Sequence, residues 1–358
     1  MHTLLPQVRI TQVRVLAVFV LGLLWAKQVS LLRVAAALPL PARDVSTARR
    51  LARWLASATV PRAALWTPLL PALLADQAGH ELVLVFDPTP HKDLATILVL
   101  GLVVPKRVLP LAGRVMPQHD PWPEPLRPQR LALGREVQAA LPPGCTVTLV
   151  ADRGLTGAGL LDVCRALGWH FVLRVNVTAS TSNRVRPHPA APEQALWELV
   201  TGPGQRWTGT VEVFKKEGWR AVELTIWWAV GAAEPWVLAS DRPAGMARVR
   251  EYRRRMRAEA TDEDCKSRGW HIERSKVTQL DRLERLVLVV HLALWWAYQL
   301  GCRVVRQGQR RQYDRADRRD LSLQRLGLAW RHDPRTPERV PPLPFRQNQG
   351  QWRFAWLT

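Results

Sequence analysis

Four residues in the C-terminal third of the chain have the types and spacing of a nucleic-acid site. Within EYRRRMRAEATDEDCKSRG, a Tyr-x2-Arg-x3-Glu-x6-Lys pattern is formed by Tyr252, Arg255, Glu259 and Lys266. At about 100° per helical residue, their side chains would share an arc of about 60° on one helix. An acid among three residues that can hold phosphates predicts a site that handles a nucleic-acid backbone.

Two further acids come at the ends of predicted buried strands. ELVLVF leads to Asp87 and TVTLVA leads to Asp152. Carboxylates at strand ends can converge at one edge of a sheet, where Glu259 would add a third. Three carboxylates suit Mg²⁺ or Mn²⁺, which prefer oxygen ligands. Two such ions about 4 Å apart can activate a nucleophile and stabilise the departing oxygen of a phosphodiester. A single aspartate after a strand is common in ordinary turns, so only the combination carries this hypothesis.

The charge balance of the chain favours a polyanionic partner. The 358 residues include 51 Lys and Arg against 30 Asp and Glu, which gives a formal net charge of +21 and a pI of about 11.2. The simplest partner for such a surface is DNA or RNA. Codon bias offers another explanation for the many arginines, but it does not explain the shortage of acids.

A predicted N-terminal helix carries a basic face. STARRLARWLASATV (46–60) begins with a candidate N-cap serine and places apolar residues on one side. Arg49, Arg50 and Arg53 occupy the neighbouring surface. These arginines are candidates for DNA contact, and the alternative is an ordinary solvated helix face.

Cysteine spacing argues against a zinc-binding protein, and hydropathy argues against a membrane protein. The four cysteines are far apart and form neither a CxxC motif nor a Cys/His zinc pattern, so a reducing cytoplasm is expected. The apolar run 15–25 is too short to span a bilayer. The run 286–301 is nearer to spanning length but contains His291 and Gln299. A buried core helix is the favoured interpretation of 286–301, with a membrane helix as the alternative.

The hydrophobic pattern predicts an α/β layout with a mixed sheet. Besides the two strands that precede the aspartates, the predicted elements are strands at 93–104, 107–116 and 169–175, a hairpin at 210–228, and helices at 129–141, 160–168, 245–267 and 284–303. The predicted division in chain order is a helical N-terminal region (1–76), the first part of the core (77–176), a β-rich insertion (177–240), the second part of the core (241–305) and a basic C-terminal tail (306–358).

The three acids in their motifs resemble a known enzyme family. VLVFDPT, VTLVADRGL and YRRRMRAEATDEDCK are similar to the motifs of bacterial DDE insertion-sequence transposases with the Tyr-Arg-Glu-Lys signature, called the insertion-sequence-four family. The resemblance covers residues 45–330, including the insertion between the second and third acids. It implies a ribonuclease H-like core, with Asp87, Asp152 and Glu259 as the ligands of two Mg²⁺ or Mn²⁺ ions.

The resemblance also implies roles in DNA binding. Tyr252, Arg255 and Lys266 would hold DNA phosphates near the scissile bond. In related enzymes the β-rich insertion carries a tryptophan that stacks on a flipped base, which nominates Trp236 in EPWVLAS; core packing is the alternative. The family often has aromatic residues where this chain has Leu155 and Met256, so the base-flipping step is less well matched than the acids.

The function implied by the resemblance is cut-and-paste DNA transposition. It comprises cleavage at the transposon ends, hairpin formation and strand transfer into target DNA. The partners would be double-stranded DNA, as inverted repeats and target, and a second copy of the chain in the DNA-bound complex. The expected location is the bacterial cytoplasm, in association with the nucleoid and not the membrane. Alternatives are a ribonuclease H-like endonuclease without strand transfer and a catalytically inactive DNA-binding relative.

Overall fold

An eight-stranded mixed β-sheet forms the centre of the computed structural model, which describes residues 5–118, 126–176, 184–266, 269–315, 317 and 319–333. The strands of this sheet are β1 (Glu81–His91), β2 (Ala95–Val104), β3 (Arg107–Pro117), β4 (Thr146–Ala151), β5 (His170–Arg174), β8 (Arg206–Val213), β9 (Arg220–Trp227) and β10 (Trp236–Ser240). A separate two-stranded pair consists of β6 (Arg184–Val185) and β7 (Gln194–Ala195).

The strand order of the large sheet is β3-β2-β1-β4-β5-β10-β9-β8. Strands β1 to β3 form an antiparallel meander, and β4 and β5 continue from β1 in parallel. Parallel strands must be covered on both faces, which explains their nearly continuous apolar sequences. This mixed order confirms the predicted α/β class with a mixed sheet.

Helices cover the sheet and form the N-terminal region. They are α1 (Ile10–Ala26), α2 (Leu31–Ala36), α3 (Asp44–Leu55), α4 (Arg62–Trp66), α5 (Leu70–Leu74), α6 (Leu126–Gln138), α7 (Ala158–Leu167), α8 (Met246–Arg253), α9 (Arg257–Cys265), α10 (Leu280–Arg306) and α11 (Leu323–Arg331). The basic helix predicted at 46–60 is α3. It begins earlier than predicted and has Arg43, not Ser46, at its N-cap.

Alternation along the central strands gives the sheet two apolar faces. On β1, Leu84 and Phe86 belong to the large core, whereas Val83 and Val85 belong to a smaller cluster. This smaller cluster includes Val249 of α8 and lies on the face that α8 and α9 cover. The two-residue period of a strand therefore decides which side chains of β1 face α8 and α9.

The long helix α10 is a core helix. Its length and composition would suffice to cross a membrane, but 83% of its most apolar stretch is buried inside the fold. It packs against β3, α1 and α11, and its Trp295 indole donates a hydrogen bond to the carbonyl of Pro110 in β3 (2.7 Å). These contacts confirm the favoured interpretation of the apolar run 286–301.

The segment predicted as a β-rich insertion contributes strands to the same sheet. Strand β10 pairs with β5 of the core, and β9 and β8 follow outward from it. The hairpin predicted at 210–228 is the β8–β9 pair, with a short 3₁₀ turn at Lys215–Glu217 between its strands.

The predicted continuous helix at 245–267 was wrong. The chain forms α8, then a 3₁₀ turn at Arg254–Met256, then α9, which ends at Cys265. Lys266 follows α9 with a non-helical backbone (φ −89°, ψ −100°). The four signature residues therefore do not share one face of a regular helix, because the 3₁₀ turn changes the angular step between them.

Candidate active site

The register of two parallel strands brings Asp87 and Asp152 together. Phe86 of β1 lies beside Ala151 of β4, and Asp87 and Asp152 follow these two residues directly in the sequence. Asp87 lies two residues beyond Val85, so the alternation of the strand turns it toward α8 and α9. Two buried strands thus deliver two carboxylates to the same place under the same pair of helices.

The α8–α9 segment adds the signature residues to these aspartates. The Tyr252 hydroxyl donates to Asp152 Oδ1 (3.1 Å). Arg255 Nη2 donates to Asp87 Oδ1 (2.9 Å) and lies 3.6 Å from Asp152 Oδ2. Arg255 Nη1 donates to Glu259 Oε1 (2.8 Å). The structure therefore gathers all three predicted acids around one guanidinium, with Tyr252 beside them.

The two aspartates have opposite electrostatic surroundings. Burial raises the pKa of Asp87, and the nearby Arg255 opposes this only in part. Burial also disfavours the charge of Asp152, but the backbone N–H of Arg153 and the guanidinium of Arg255 outweigh it and lower that pKa. Asp152 is therefore the more firmly ionised of the two carboxylates.

A fourth carboxylate, absent from the sequence-based prediction, lies beside Asp87. Asp262 accepts a hydrogen bond from the Thr89 hydroxyl (2.6 Å) and shares another with Asp87. Burial and the neighbouring Asp87 raise the pKa of Asp262 to about 7. Its position three residues after Glu259, on the same helical side, was the available signal.

The donor chemistry of the site fits Mg²⁺ or Mn²⁺, because carboxylate oxygens are the ligands these ions prefer. Asp87, Asp152 and Glu259 all reach the same guanidinium, so one cation already bridges them. Within the described part of the chain, no group of three acidic, histidine or cysteine side chains is arranged as a ready metal site. An ion would have to take the place that Arg255 occupies between the acids.

Two other predicted site residues, Trp236 and Lys266, contact side chains other than the three acids. Trp236 packs edge-on against Tyr252 (ring centroids 4.9 Å apart) and against Trp227 (5.7 Å), so it lies next to the acid cluster and is partly buried. Lys266 forms an ion pair with Glu273 (3.6 Å).

The basic face of α3 belongs to a different part of the fold. Helix α3 packs on α1, α2 and α10, and Arg49, Arg50 and Arg53 are exposed on its outer side. Leu51 and Trp54 on the opposite side are buried, as the amphipathic pattern predicts.

A second basic group stands next to Asp152. Arg153 Nη1 donates to both carboxylate oxygens of Glu234 (2.9 and 2.8 Å), and Arg174 Nη2 donates to Glu234 Oε1 (2.7 Å). Arg174 Nη1 also lies 3.9 Å from Asp152 Oδ1. Sequence reasoning missed this group, although Arg153 follows the second acid directly; the pairing with Glu234 depends on a contact between distant parts of the chain.

Comparison with known proteins supports the prediction of a DDE-type transposase enzyme. Residues 128–296, just under half of the chain, match the family described as "Transposase DDE domain". This range contains Asp152 and Glu259 but not Asp87. A search of curated proteins gives no match.

Solved structures also resemble the chain. One is a piggyBac transposase in a synaptic complex with hairpin DNA, at 11% sequence identity and a TM-score of 0.45. The alignment covers 76% of this chain and 56% of the other, so the chain spans little more than half the length of that transposase.

Proposed function

We propose that this chain is a DNA transposase of the DDE type, with the Tyr-Arg-Glu-Lys signature of the insertion-sequence-four family. The observation that carries the proposal is the meeting of Asp87, Asp152 and Glu259 around the guanidinium of Arg255. Two strands and a helix from separate parts of the chain supply these acids. The match of residues 128–296 to a transposase DDE domain supports the same function.

The reaction would be a series of phosphoryl transfers on DNA. Bound between the three carboxylates, two Mg²⁺ or Mn²⁺ ions would supply Lewis-acid activation of the attacking and departing oxygens. Water would cut one strand at the element end. The freed 3′-hydroxyl would attack the opposite strand to form a hairpin, which is reopened before strand transfer into target DNA. Positioning and charge stabilisation dominate such chemistry, which needs no protein nucleophile.

The signature residues would serve the acids and the DNA in turn. Tyr252 is buried and donates to Asp152, so it orients that carboxylate. Arg255 balances the charge of the acids and would turn to a DNA phosphate once ions are bound, since guanidinium groups pair with both anions. We assign a phosphate contact to Lys266 and base stacking to Trp236, whose ring lies against Tyr252. Stacking on an extruded base is worth about 1–3 kcal/mol.

The proposed partners follow from charge and from the reaction. A formal net charge of +21 suits double-stranded DNA, both as inverted repeats and as target. We assign part of this contact to Arg49, Arg50 and Arg53, which α3 holds exposed. Pairing of two element ends requires two active sites, and hence a homodimer on DNA. The proposed setting is the bacterial cytoplasm at the nucleoid.

The test is metal-dependent cleavage by the Glu259→Gln variant. Loss of one carboxylate that holds the ions should lower the cleavage rate at least about 100-fold, while DNA binding persists. Glu263→Gln is the matched control, because it removes one exposed acid from the same helix. Full Mg²⁺-dependent cleavage by Glu259→Gln would overturn the assignment of the acids.

A second measurement separates transposition from simple cutting. The substrate is a donor DNA whose terminal inverted repeats flank the reading frame of this chain. Joined donor–target products and hairpin ends on a denaturing gel are the expected result. Nicked or linear DNA without joined products would instead favour a ribonuclease H-like endonuclease.

A further inference from the structure

Two arginines converge on one carboxylate at the rim of the acid cluster. Arg153 follows β4, Arg174 ends β5, and Glu234 comes from the loop between β9 and β10. The three nitrogen–oxygen distances that join them to Glu234 lie between 2.7 and 2.9 Å. A single carboxylate thus receives two guanidinium groups.

These arginines lie beside Asp152. The backbone N–H of Arg153 donates to Asp152 Oδ1 (2.8 Å), and Arg174 Nη1 is 3.9 Å from the same oxygen. The Nε of Arg174 is buried and has no hydrogen-bond partner among the described residues. Arg174 therefore has donor capacity that Glu234 does not satisfy, directly beside one of the proposed metal-binding carboxylates.

The pairing with Glu234 is of a kind that an anion can replace. The side chains of Arg153 and Glu234 are 41% and 40% exposed. The Arg153–Glu234 pair therefore contributes only about 0–1 kcal/mol, because water competes for both partners. Arg174 is 13% exposed, so its contact with Glu234 is better shielded from water. A DNA phosphate can accept two N–H donors from one guanidinium, as a carboxylate does.

We propose that Arg153 and Arg174 form a binding site for a DNA backbone phosphate, and that the Glu234 carboxylate fills this site until DNA displaces it. The proposal rests on the proposed function and adds a substrate contact beyond the signature residues. Glu234 acts as an internal competitor of DNA. The alternative is that Glu234 is a structural brace, which holds the β9–β10 loop on the core and has no part in DNA binding.

The two interpretations differ in the sign of one effect. If Glu234 competes with DNA, Glu234→Gln frees both arginines and lowers the Kd for DNA, by about fivefold. If Glu234 only braces the loop, the same change leaves the Kd unaltered or raises it. Arg153→Ala should raise the Kd by a similar factor while retaining the backbone N–H that holds Asp152.

The experiment measures binding of a fluorescent mixed-sequence DNA duplex to the full-length chain at one fixed salt concentration. Glu193→Gln is the matched control, since Glu193 also lies between two basic side chains, Lys215 at 2.8 Å and Arg184 at 3.9 Å. It removes the same charge from the β-rich segment, and so reports the general effect of net charge on DNA attraction. Circular dichroism and thermal melting establish that each variant is folded.

The expected result is tighter binding by Glu234→Gln than by Glu193→Gln, with the gain abolished in the double variant Glu234→Gln/Arg153→Ala. Equal Kd values for the two glutamine variants, or weaker binding by Glu234→Gln, would overturn the competitor role while leaving the proposed function intact. Absence of DNA binding by the unaltered chain would overturn both proposals.

Discussion

At the scale of single residues, Arg255 is the common partner of the acid cluster. One positive charge lies among Asp87, Asp152 and Glu259 at contact distances. Like charges held this close raise each other's pKa unless a cation intervenes. Arg255 supplies that cation for both aspartates, but Asp87 is buried more deeply, so its pKa stays raised while that of Asp152 is lowered. The three carboxylates around one guanidinium therefore carry negative charge that divalent ions can neutralise.

The raised pKa of Asp262 makes stability depend on pH in the absence of divalent ions. The folded state favours the protonated form, so this carboxyl stabilises the fold most below pH 3.8, its ordinary pKa. That contribution is lost as the pH rises to about 7. Asparagine imitates the protonated acid, which donates to Asp87 and accepts from Thr89.

Asp262→Asn should therefore raise the free energy of unfolding at pH 8 in EDTA by on the order of 2 kcal/mol. The same substitution should change this free energy little near pH 4. Urea unfolding at both pH values is the measurement. Asp93→Asn, which removes one exposed acid at the β1–β2 turn, is the matched control. A gain that is equal at both pH values would contradict a protonated Asp262.

At the scale of elements, the break between α8 and α9 decides how the signature residues are used. Tyr252 is in the last turn of α8, Arg255 is in the 3₁₀ turn, and Glu259 is in the first turn of α9. The tighter 3₁₀ step points Tyr252 at Asp152 while Arg255 reaches all three acids. The sequence spacing predicts that these residues act together. The break between α8 and α9 could not be predicted, because this segment contains no glycine or proline.

Helix α9 is anchored to the rest of the fold by Asp264. This aspartate is 2% exposed, forms an ion pair with Arg107 of β3, and lies 3.6 Å from Arg325 of α11. Since α9 carries both Glu259 and Asp262, the anchor connects the acid cluster to the sheet and to the C-terminal helix.

Asp264→Asn should lower the free energy of unfolding by about 3 kcal/mol, because it leaves the charge of Arg107 without its buried partner. Asp317→Asn breaks an ion pair with Arg315 in which both side chains are more than 60% exposed. Its expected effect is below about 0.5 kcal/mol. Chemical denaturation of both variants is the measurement, and equal effects would contradict the anchoring role.

Much of the core and the acid cluster could be predicted from local pattern. The apolar runs before Asp87 and Asp152 are long enough to indicate buried strands. The predicted strand end at Asp87 was wrong, because β1 continues to His91, whereas Asp152 does follow the end of β4. Asp262, Arg174 and Glu234 could not be found in that way, because their roles come from contacts between segments far apart in the sequence. Only the packing of the β9–β10 loop against the core reveals the last two.

At the scale of the whole molecule, the positive charge is distributed over separate surfaces. Arg153 stands at the acid cluster, whereas Arg49, Arg50 and Arg53 are exposed on the N-terminal helix α3. A duplex that contacts both surfaces would release counterions at each of them. The Kd for DNA should then rise steeply with salt concentration.

Replacement of Arg49, Arg50 and Arg53 by alanine should reduce the slope of log Kd against log salt by about 2 to 3, since each phosphate contact contributes about 0.9. The measurement is a salt titration of DNA binding with the full chain. Replacing Arg184, Arg206 and Arg250, which are exposed elsewhere on the molecule, removes equal charge as a control. Equal changes of slope in both triple variants would contradict a specific contact at α3.

The pairing of β5 with β10 has a consequence for the order of folding. Strand β5 cannot acquire this neighbour until the whole β-rich segment between them has been synthesised. Such long-range pairing is slow to form, because a large loop must close first. Glu259 emerges later still. Under the proposed function, the growing chain on the ribosome thus lacks a complete set of acids until its sheet can close, which separates synthesis of the protein from cutting of DNA.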